Sequence, residues 1–421
     1  MTLVHSRSLS LLISTILPLQ SSVKPISNSQ KAILQSSTMA YSMAGPITDS
    51  KLLASHQDFK LPDPPAEMSS LPNGFPSALD SPLAWTGQQL ARQSDYIHHL
   101  SENEIEEIEA ALQHFKALEL DGDLVTPDTF PLPTVGPNVL GRMRDDLHQG
   151  KGFAVLRGLD SKKYSVEDLT TIYLGVQAYI ANRCGRQDKK GNMLVHIVAD
   201  NSSKEKAEHH RHSTSPITFH NEEAGDIVSW LTRNAAKSGG KCIIASTYTV
   251  YNVLSATRPD LIRTLARSDW PFAFPKFQCR PVFFYEDGRL ITNFGRAALM
   301  GSAAHARPAH LPTLTANQIE ALDAIQDIAE ATKFEFSTKA GDMHFINNLA
   351  VLHRRAGFVN GAEADQRRHL VRMRLRDDEM GWKIPADLQL EWNKAFGPAG
   401  TQVWHLEPMP TGYFPLRSQP N

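Results

Sequence analysis

Cysteine is scarce in this chain: Cys184, Cys242 and Cys279 are the only three among 421 residues. They are odd in number and widely spaced, and no Cys-x-x-Cys pair occurs. A disulfide framework, a cysteine-based zinc site and a dithiol redox centre therefore find no support, and a reducing compartment is expected. An excess of charge of either sign is also missing. Lys+Arg number 43 against 45 Asp+Glu, for a formal charge of −2. With no long Lys/Arg run, nothing points to nucleic acid or to an anionic membrane surface as partner. No uninterrupted apolar run reaches the roughly 18 residues that read as a membrane span. These absences leave a small molecule as the expected partner, with no nucleic acid and no membrane.

One absence is local. Residues 1–48 contain no Asp or Glu, many serines, and the basic residues Arg7, Lys24 and Lys31. Within them lies a short apolar run, Leu9 to Leu19. Acid-poor, Ser-rich composition is that of a transit peptide, and the short run is that of a signal core; a disordered leader is the plainer reading. The expected location is cytoplasmic, with a mitochondrial address through residues 1–48 as the alternative. Residues 49–100 form a Pro/Ser-rich arm, most plainly over LPDPPAEMSSLPNGFPSALDSP (Leu61 to Pro82), because proline is excluded from helix interiors. Residues 101–421 are expected to form one domain, and 41% hydrophobic residues are ample for its core.

Within that domain the helix signals are few and strong. Ser101 and Glu104 form a capping-box pattern ahead of Ile105, Ile108, Leu112 and Phe115. Ser165 to Ile180 carries Leu169, Ile172, Val176 and Ile180 on one face, and Thr315 with Gln318 caps a third helix bearing Ile319, Leu322, Ile325 and Ile328. Strand signals dominate the rest: Gly152 to Leu159, Asp226 to Leu231, Lys241 to Ser246, Pro281 to Tyr285, Arg289 to Phe294 and His369 to Leu375. Many short strands with inserted helices predict a mainly β fold with helical decoration (α+β), a jelly roll or double-stranded β-helix.

Chemistry concentrates in two segments. In Phe219 to Asp226 (FHNEEAGD), His220 and Glu222 lie two residues apart. On an extended segment they project from the same side. An imidazole and a carboxylate there make two-thirds of a facial triad, which leaves three adjacent positions open on iron for a co-substrate and oxygen. A His-x-Glu pair alone is also compatible with a polar loop. Glu223 is a second possible carboxylate, although period-two geometry favours Glu222. Far downstream, GDMHFINNLAVLHRRAGF (Gly341 to Phe358) supplies His353, and QRRHLVRMR (Gln366 to Arg374) supplies Arg368 and Arg372. A planar guanidinium suits the far carboxylate of a dicarboxylate such as 2-oxoglutarate. Alternating arginine and apolar residues are equally ordinary on a half-exposed strand.

Taken in order, FHNE, GGKCIIAS, GDMHFINNLAVLH and QRRHLVRMRL resemble the TauD/TfdA family of taurine dioxygenase-like, clavaminate synthase-like oxygenases, especially its fungal group. The resemblance covers about Gly152 to Asp378. It implies iron(II) held by His220, Glu222 and His353, with 2-oxoglutarate and O2 as co-substrates. It also implies Arg368 on the C5 carboxylate of 2-oxoglutarate and Arg372 facing the substrate. Cys242 stands where the family often has a hydroxyl contacting 2-oxoglutarate; thiols bond more weakly, so Ser246 or Thr247 is the alternative donor. Most members have Asp where this chain has Glu222, but the clavaminate synthase-like branch resembles it in using Glu. The retained carboxylate argues against a halogenase-type site.

Asn192 and His212 are further candidates for the substrate pocket, as are His196, Asn293 and Arg296. The implied activity is oxidation of an unactivated C–H of a small molecule, by hydroxylation, desaturation or cyclisation, with a secondary-metabolite intermediate as the expected substrate. Two other readings use the same residues: a metal-dependent, non-redox cupin-like enzyme, and a catalytically silent ligand-binding relative.

Overall fold

Ser101 begins the first long helix as its capping box predicts. Its side chain accepts from the Glu104 N–H while Glu104 Oε2 accepts from the Ser101 N–H at 2.7 Å, closing Glu102–Ala117 at its start. Ile108, Leu112 and Phe115 are buried, while Ile105 at the margin of the stripe is half-buried. Thr315 and Gln318 cap Ala316–Thr332 in the same way. There Leu322, Ile325 and Ile328 are buried, but Ile319 is 37% exposed, because the buried stripe runs through Gln318 and Ala321 instead.

This computed structural model describes residues 70–92, 96–199, 213–274, 276–302, 306–408 and 413–414. The described residues fall in one unit, Ser70–Asn421. The leader expected over 1–48 and the first part of the arm lie outside the described residues. From Ser70 onward the expected arm is docked on the domain. The Leu79 N–H donates to Asn252 Oδ1 at 2.7 Å, and the Leu79 carbonyl accepts from Asn252 Nδ2 at 2.9 Å. Trp85 Nε1 donates to the Lys151 carbonyl at 2.7 Å, and Leu83, Trp85 and Leu90 are buried. A segment with little regular structure thus satisfies its backbone through side chains of the body, a partnership its composition does not reveal.

Two sheets form the double-stranded β-helix. The larger contains β1 (Ile97–His99), β2 (Phe153–Arg157), β3 (Arg183–Gly185), β4 (Val195–Val198), β5 (Ile227–Asn234), β8 (Met343–Asn347) and β10 (His369–Arg376), in the order β1-β2-β8-β5-β10-β3 with β4 also on β10. The smaller orders β7 (Phe334–Phe336), β6 (Cys242–Ser246) and β9 (Val351–Arg355) as β7-β6-β9. All pairings are antiparallel except β1 with β2.

Alternation sorts the side chains of the large sheet. Val371, Met373 and Leu375 join Leu231 and Phe345 in a core with Ile108, Leu169 and Ile172 from the helices. The opposite face, with Val228, Trp230 and Leu370, packs toward Cys242, Ile244 and Val351 of the small sheet. Arg372 is aligned with Trp230, and Trp230 with His344, so all three share this inner face. Among the described residues no helix is long and apolar enough to cross a membrane.

Candidate metal and co-substrate site

The residues that bear the chemistry are brought together by a backbone bridge between the segment ahead of β5 and strand β9. His220 and His353 form a one-residue antiparallel bridge in which each N–H donates to the other's carbonyl at 3.1 Å. Their rings therefore stand side by side, with centroids 4.6 Å apart. Glu222 completes the group: one donor atom from each of His220, Glu222 and His353 lies within 4.8 Å of the others. Glu223 does not belong to it.

Asparagines fix this short segment. The Glu222 N–H donates to Asn348 Oδ1 at 2.8 Å, and Asn348 Nδ2 donates to the carbonyls of Glu222 and Gly225 at 3.1 and 3.0 Å. Asn221 Nδ2 donates to the Asn348 carbonyl at 2.7 Å, while its Oδ1 accepts from the Phe294 N–H. His220 Nδ1 lies 2.9 Å from the Thr218 carbonyl, which selects the tautomer with a proton on Nδ1 and directs the Nε2 lone pair toward the group. His353 is held neutral, its pKa lowered to about 3 by burial and then by its neighbour His220. Two imidazoles and a carboxylate with three donor atoms this close fit an iron(II) facial triad.

Behind the group an inner cavity is lined by Trp230, Cys242, Thr338, Arg355, Arg368 and Leu370, among others. Arg368 enters it at the start of β10, packed 5.3 Å over the Phe358 ring. Its guanidinium forms no ion pair or side-chain hydrogen bond among the described residues. Burial and then the charge of Arg355 push its pKa down to about 9. A buried cation in that condition is costly unless an anion joins it, and the distal carboxylate of 2-oxoglutarate has the matching charge and shape. The neighbouring Gly239 and Gly240 both have positive φ, 78° and 70°. A Cβ on Gly239 would sit 2.4 Å from the Gly357 carbonyl oxygen, so the turn into β6 requires glycine there.

Three expected contacts are displaced. Ser246 is outside the cavity: its Oγ donates to the Leu83 carbonyl and accepts from the Thr249 N–H at 3.1 Å, capping helix Thr247–Thr257. Thr247 spends its hydroxyl on the Ala350 carbonyl at 2.7 Å. Cys242 does line the cavity, with burial pushing its thiol up to about 12. The hydroxyl present there is that of Thr338, on the segment after β7. Sequence reasoning missed it because no motif marks that segment.

Arg372 is the second displacement. It was expected to face the substrate, but its Nη1 donates to Glu222 Oε1 and its Nη2 to Gln187 Oε1 at 3.1 Å. At 3% exposure it lines the inner cavity and braces the carboxylate of the triad. Asn192 is the third: its Nδ2 donates to Asp188 Oδ2 at 2.7 Å, and it lines neither cavity. His196 likewise is spent, on His369 at 2.9 Å and the His405 carbonyl at 2.7 Å. His212 lies outside the described residues.

His220 and Glu222 also border an outer cavity of about 740 Å³. Asn293 and Arg296 line it, as do Glu223, Phe294, Arg280 and Arg374. Arg280 was invisible in the sequence because it belongs to no motif, and Arg374 because its strand pattern reads as solvent-facing.

The comparisons with known proteins point to one family. The family model described as "Taurine catabolism dioxygenase TauD, TfdA family" matches residues 114–374. The chain is 35% identical over 347 residues to the taurine hydroxylase-like protein SAT17 of Stachybotrys chartarum (strain CBS 109288 / IBT 7711), covering 79% of this chain and 89% of that protein. Among solved structures, asparagine oxygenase in complex with Fe(II), 2S,3S-3-hydroxyasparagine and succinate aligns with a TM-score of 0.54 at 18% identity, over 68% of this chain and 98% of the other. The non-heme iron oxygenase OrfP in complex with Fe aligns with a TM-score of 0.52 at 14% identity, over 67% and 94%. These two likenesses establish the shared fold. With the family model and the fungal relative beside the triad, the chain belongs to the TauD/TfdA family of iron(II)- and 2-oxoglutarate-dependent dioxygenases.

Proposed function

We propose that His220, Glu222 and His353 hold the iron(II), that Arg368 grips the distal carboxylate of 2-oxoglutarate, and that the outer cavity receives a small molecule whose unactivated C–H is oxidised. The observation that carries this reading is the meeting of three donor atoms within 4.8 Å beside a buried guanidinium that has no carboxylate partner among the described residues. When bound, the metal and its co-substrate supply the activation of dioxygen and the oxidising power.

The protein's own part is positioning and exclusion. Arg372 holds the Glu222 carboxylate in place through Oε1, the oxygen that lies 3.9 Å from His220 Nε2. Asn348 holds the backbone of the same ligand, and His220 is oriented by the Thr218 carbonyl. Trp230, Leu370 and Ile197 wall the inner cavity with apolar surface, which keeps water from the co-substrate. His220 and Glu222 border both cavities, so a substrate in the outer one lies beside the metal. Support for hydroxylation comes from the fungal relative, named for a hydroxylase, and from the hydroxylated product bound to asparagine oxygenase.

The test is to purify the protein without oxygen, load it with iron(II), and add 2-oxoglutarate. A visible absorption band and succinate release on admitting oxygen are expected. The His353→Ala variant should lose bound iron and at least about a thousandfold in turnover, since one of three protein ligands is gone. A wild-type protein that shows neither band nor succinate overturns the reading.

A further inference from the structure

The outer cavity carries charges that the metal chemistry does not use. Arg280 lies on its wall at 3% exposure. Its guanidinium stands over the Phe272 ring at 4.9 Å, and its Nε and Nη1 are buried without a hydrogen-bond partner among the described residues. Glu391 forms a buried ion pair with it at 3.6 Å from Nη1, which balances charge but is too long to be a hydrogen bond and leaves the N–H groups unspent. Burying a guanidinium with unspent N–H groups is costly, and such groups in folded proteins are as a rule met by a partner.

Glu223 stands on the same wall, half-buried. Among the described residues it forms no hydrogen bond and no ion pair, although it feels the charges of both Arg280 and Arg374. Opposite charges that line one cavity without closing on each other leave a gap between them. A molecule that presents an anion to one and a donor to the other fits that gap.

Two of the other arginines near the triad already hold carboxylates. Arg296 is answered by Asp323 at 2.7 Å, and Arg372 is spent on Glu222 and faces the inner cavity. Arg374, at 6% exposure, adds positive potential beside Arg280. Phe274, Phe294 and Met300 supply apolar wall for the rest of the molecule.

We propose that the outer cavity binds a small carboxylic acid with a hydrogen-bond donor beside its carboxylate, as in an α-amino or α-hydroxy acid, held by Arg280 on the carboxylate and Glu223 on the donor. This rests on the reading of the triad as the metal centre, because His220 and Glu222 border the same cavity.

The experiment uses three probes on the full chain loaded with iron(II) and 2-oxoglutarate under argon, with binding read by calorimetry: L-phenylalanine, L-phenylalaninamide and 3-phenylpropionate. Phenylalanine should bind more than about tenfold tighter than its amide, the worth of one charge-assisted contact. Arg280→Gln should erase that preference. Glu223→Gln should keep the preference for acid over amide and erase the advantage of phenylalanine over 3-phenylpropionate. Equal binding of acid and amide, survival of the preference in Arg280→Gln, or no binding of any probe at millimolar concentration overturns the proposal.

The visible band separates the two levels. Its presence with failed probe binding leaves the metal reading standing and removes the head-group site; its absence in the wild type removes both. If Arg280→Gln does not fold, the Glu223→Gln arm decides, and loss of the acid-over-amide preference there counts against the assigned roles.

Discussion

The two cavities that meet at His220 and Glu222 are built from different material. Strands wall the inner one, where register places Trp230 and Arg372 side by side and Cys242 opposite Arg355. Connecting segments wall most of the outer one, from residues 216–223 and 272–301. Strand register is set by the whole sheet, so the inner cavity offers the fixed positions that the proposed metal and co-substrate require. Connections tolerate change, so the outer cavity is where chemistry special to one substrate can be written.

That contrast can be broken most decisively at Arg368. The Arg368→Ala variant should bind 2-oxoglutarate about a hundredfold more weakly, because a buried two-point contact to a carboxylate is lost. Anaerobic titration of the visible band reads this directly, and iron content should hold. Parallel loss of iron would mean the inner cavity is not a separate co-substrate site.

A smaller effect sharpens the contrast through pH. His344 lies on the inner face between Trp230 and Phe336, with ring centroids 4.9 and 5.6 Å away. It is 1% exposed, and neither ring nitrogen has a hydrogen bond among the described residues. Burial lowers its pKa from the ordinary 6.5 to about 4. A histidine depressed in the folded state contributes stability that is full above pH 6.5 and is lost as pH falls toward 4. Between pH 7 and 5 this residue should cost roughly 2 kcal/mol of folding stability. Urea unfolding at the two pH values should show a smaller loss in His344→Leu by about that amount; an equal loss would place the sensitivity elsewhere, for instance at His148, which burial also lowers to about 4.

The smallest expected effect concerns the hydroxyl. Thr338→Val should weaken 2-oxoglutarate binding about fivefold, the worth of one neutral hydrogen bond, while Cys242→Ala should change it less than twofold. The reverse order, in the same titration, would return the contact to Cys242.

Much of the scaffold was legible. Capping boxes at Ser101 and Thr315 marked helices whose starts the structure reproduces, because those signals are local and self-contained. Strands at Lys241 to Ser246 and His369 to Leu375 were readable from β-branched and apolar runs, and they are found as Cys242–Ser246 and His369–Arg376. The sense of β10 was not. Alternating arginine and apolar residues read equally as a solvated face, whereas the apolar set covers helices and the arginines point between the sheets. Periodicity states that two faces differ; it does not state which one meets water.

The sequence by itself determined the donor types and their spacing: a His-x-Glu pair, a remote histidine and an arginine fifteen residues beyond it, on segments whose periods are local properties of the chain. Only the tertiary structure decided which groups are spent on one another. Arg372 turned to Glu222, Ser246 became a helix cap, and Arg280 arrived on the outer wall from a segment with no motif. Partnership between residues about 150 positions apart depends on sheet register and inter-sheet packing, which are properties of the whole domain rather than of any segment.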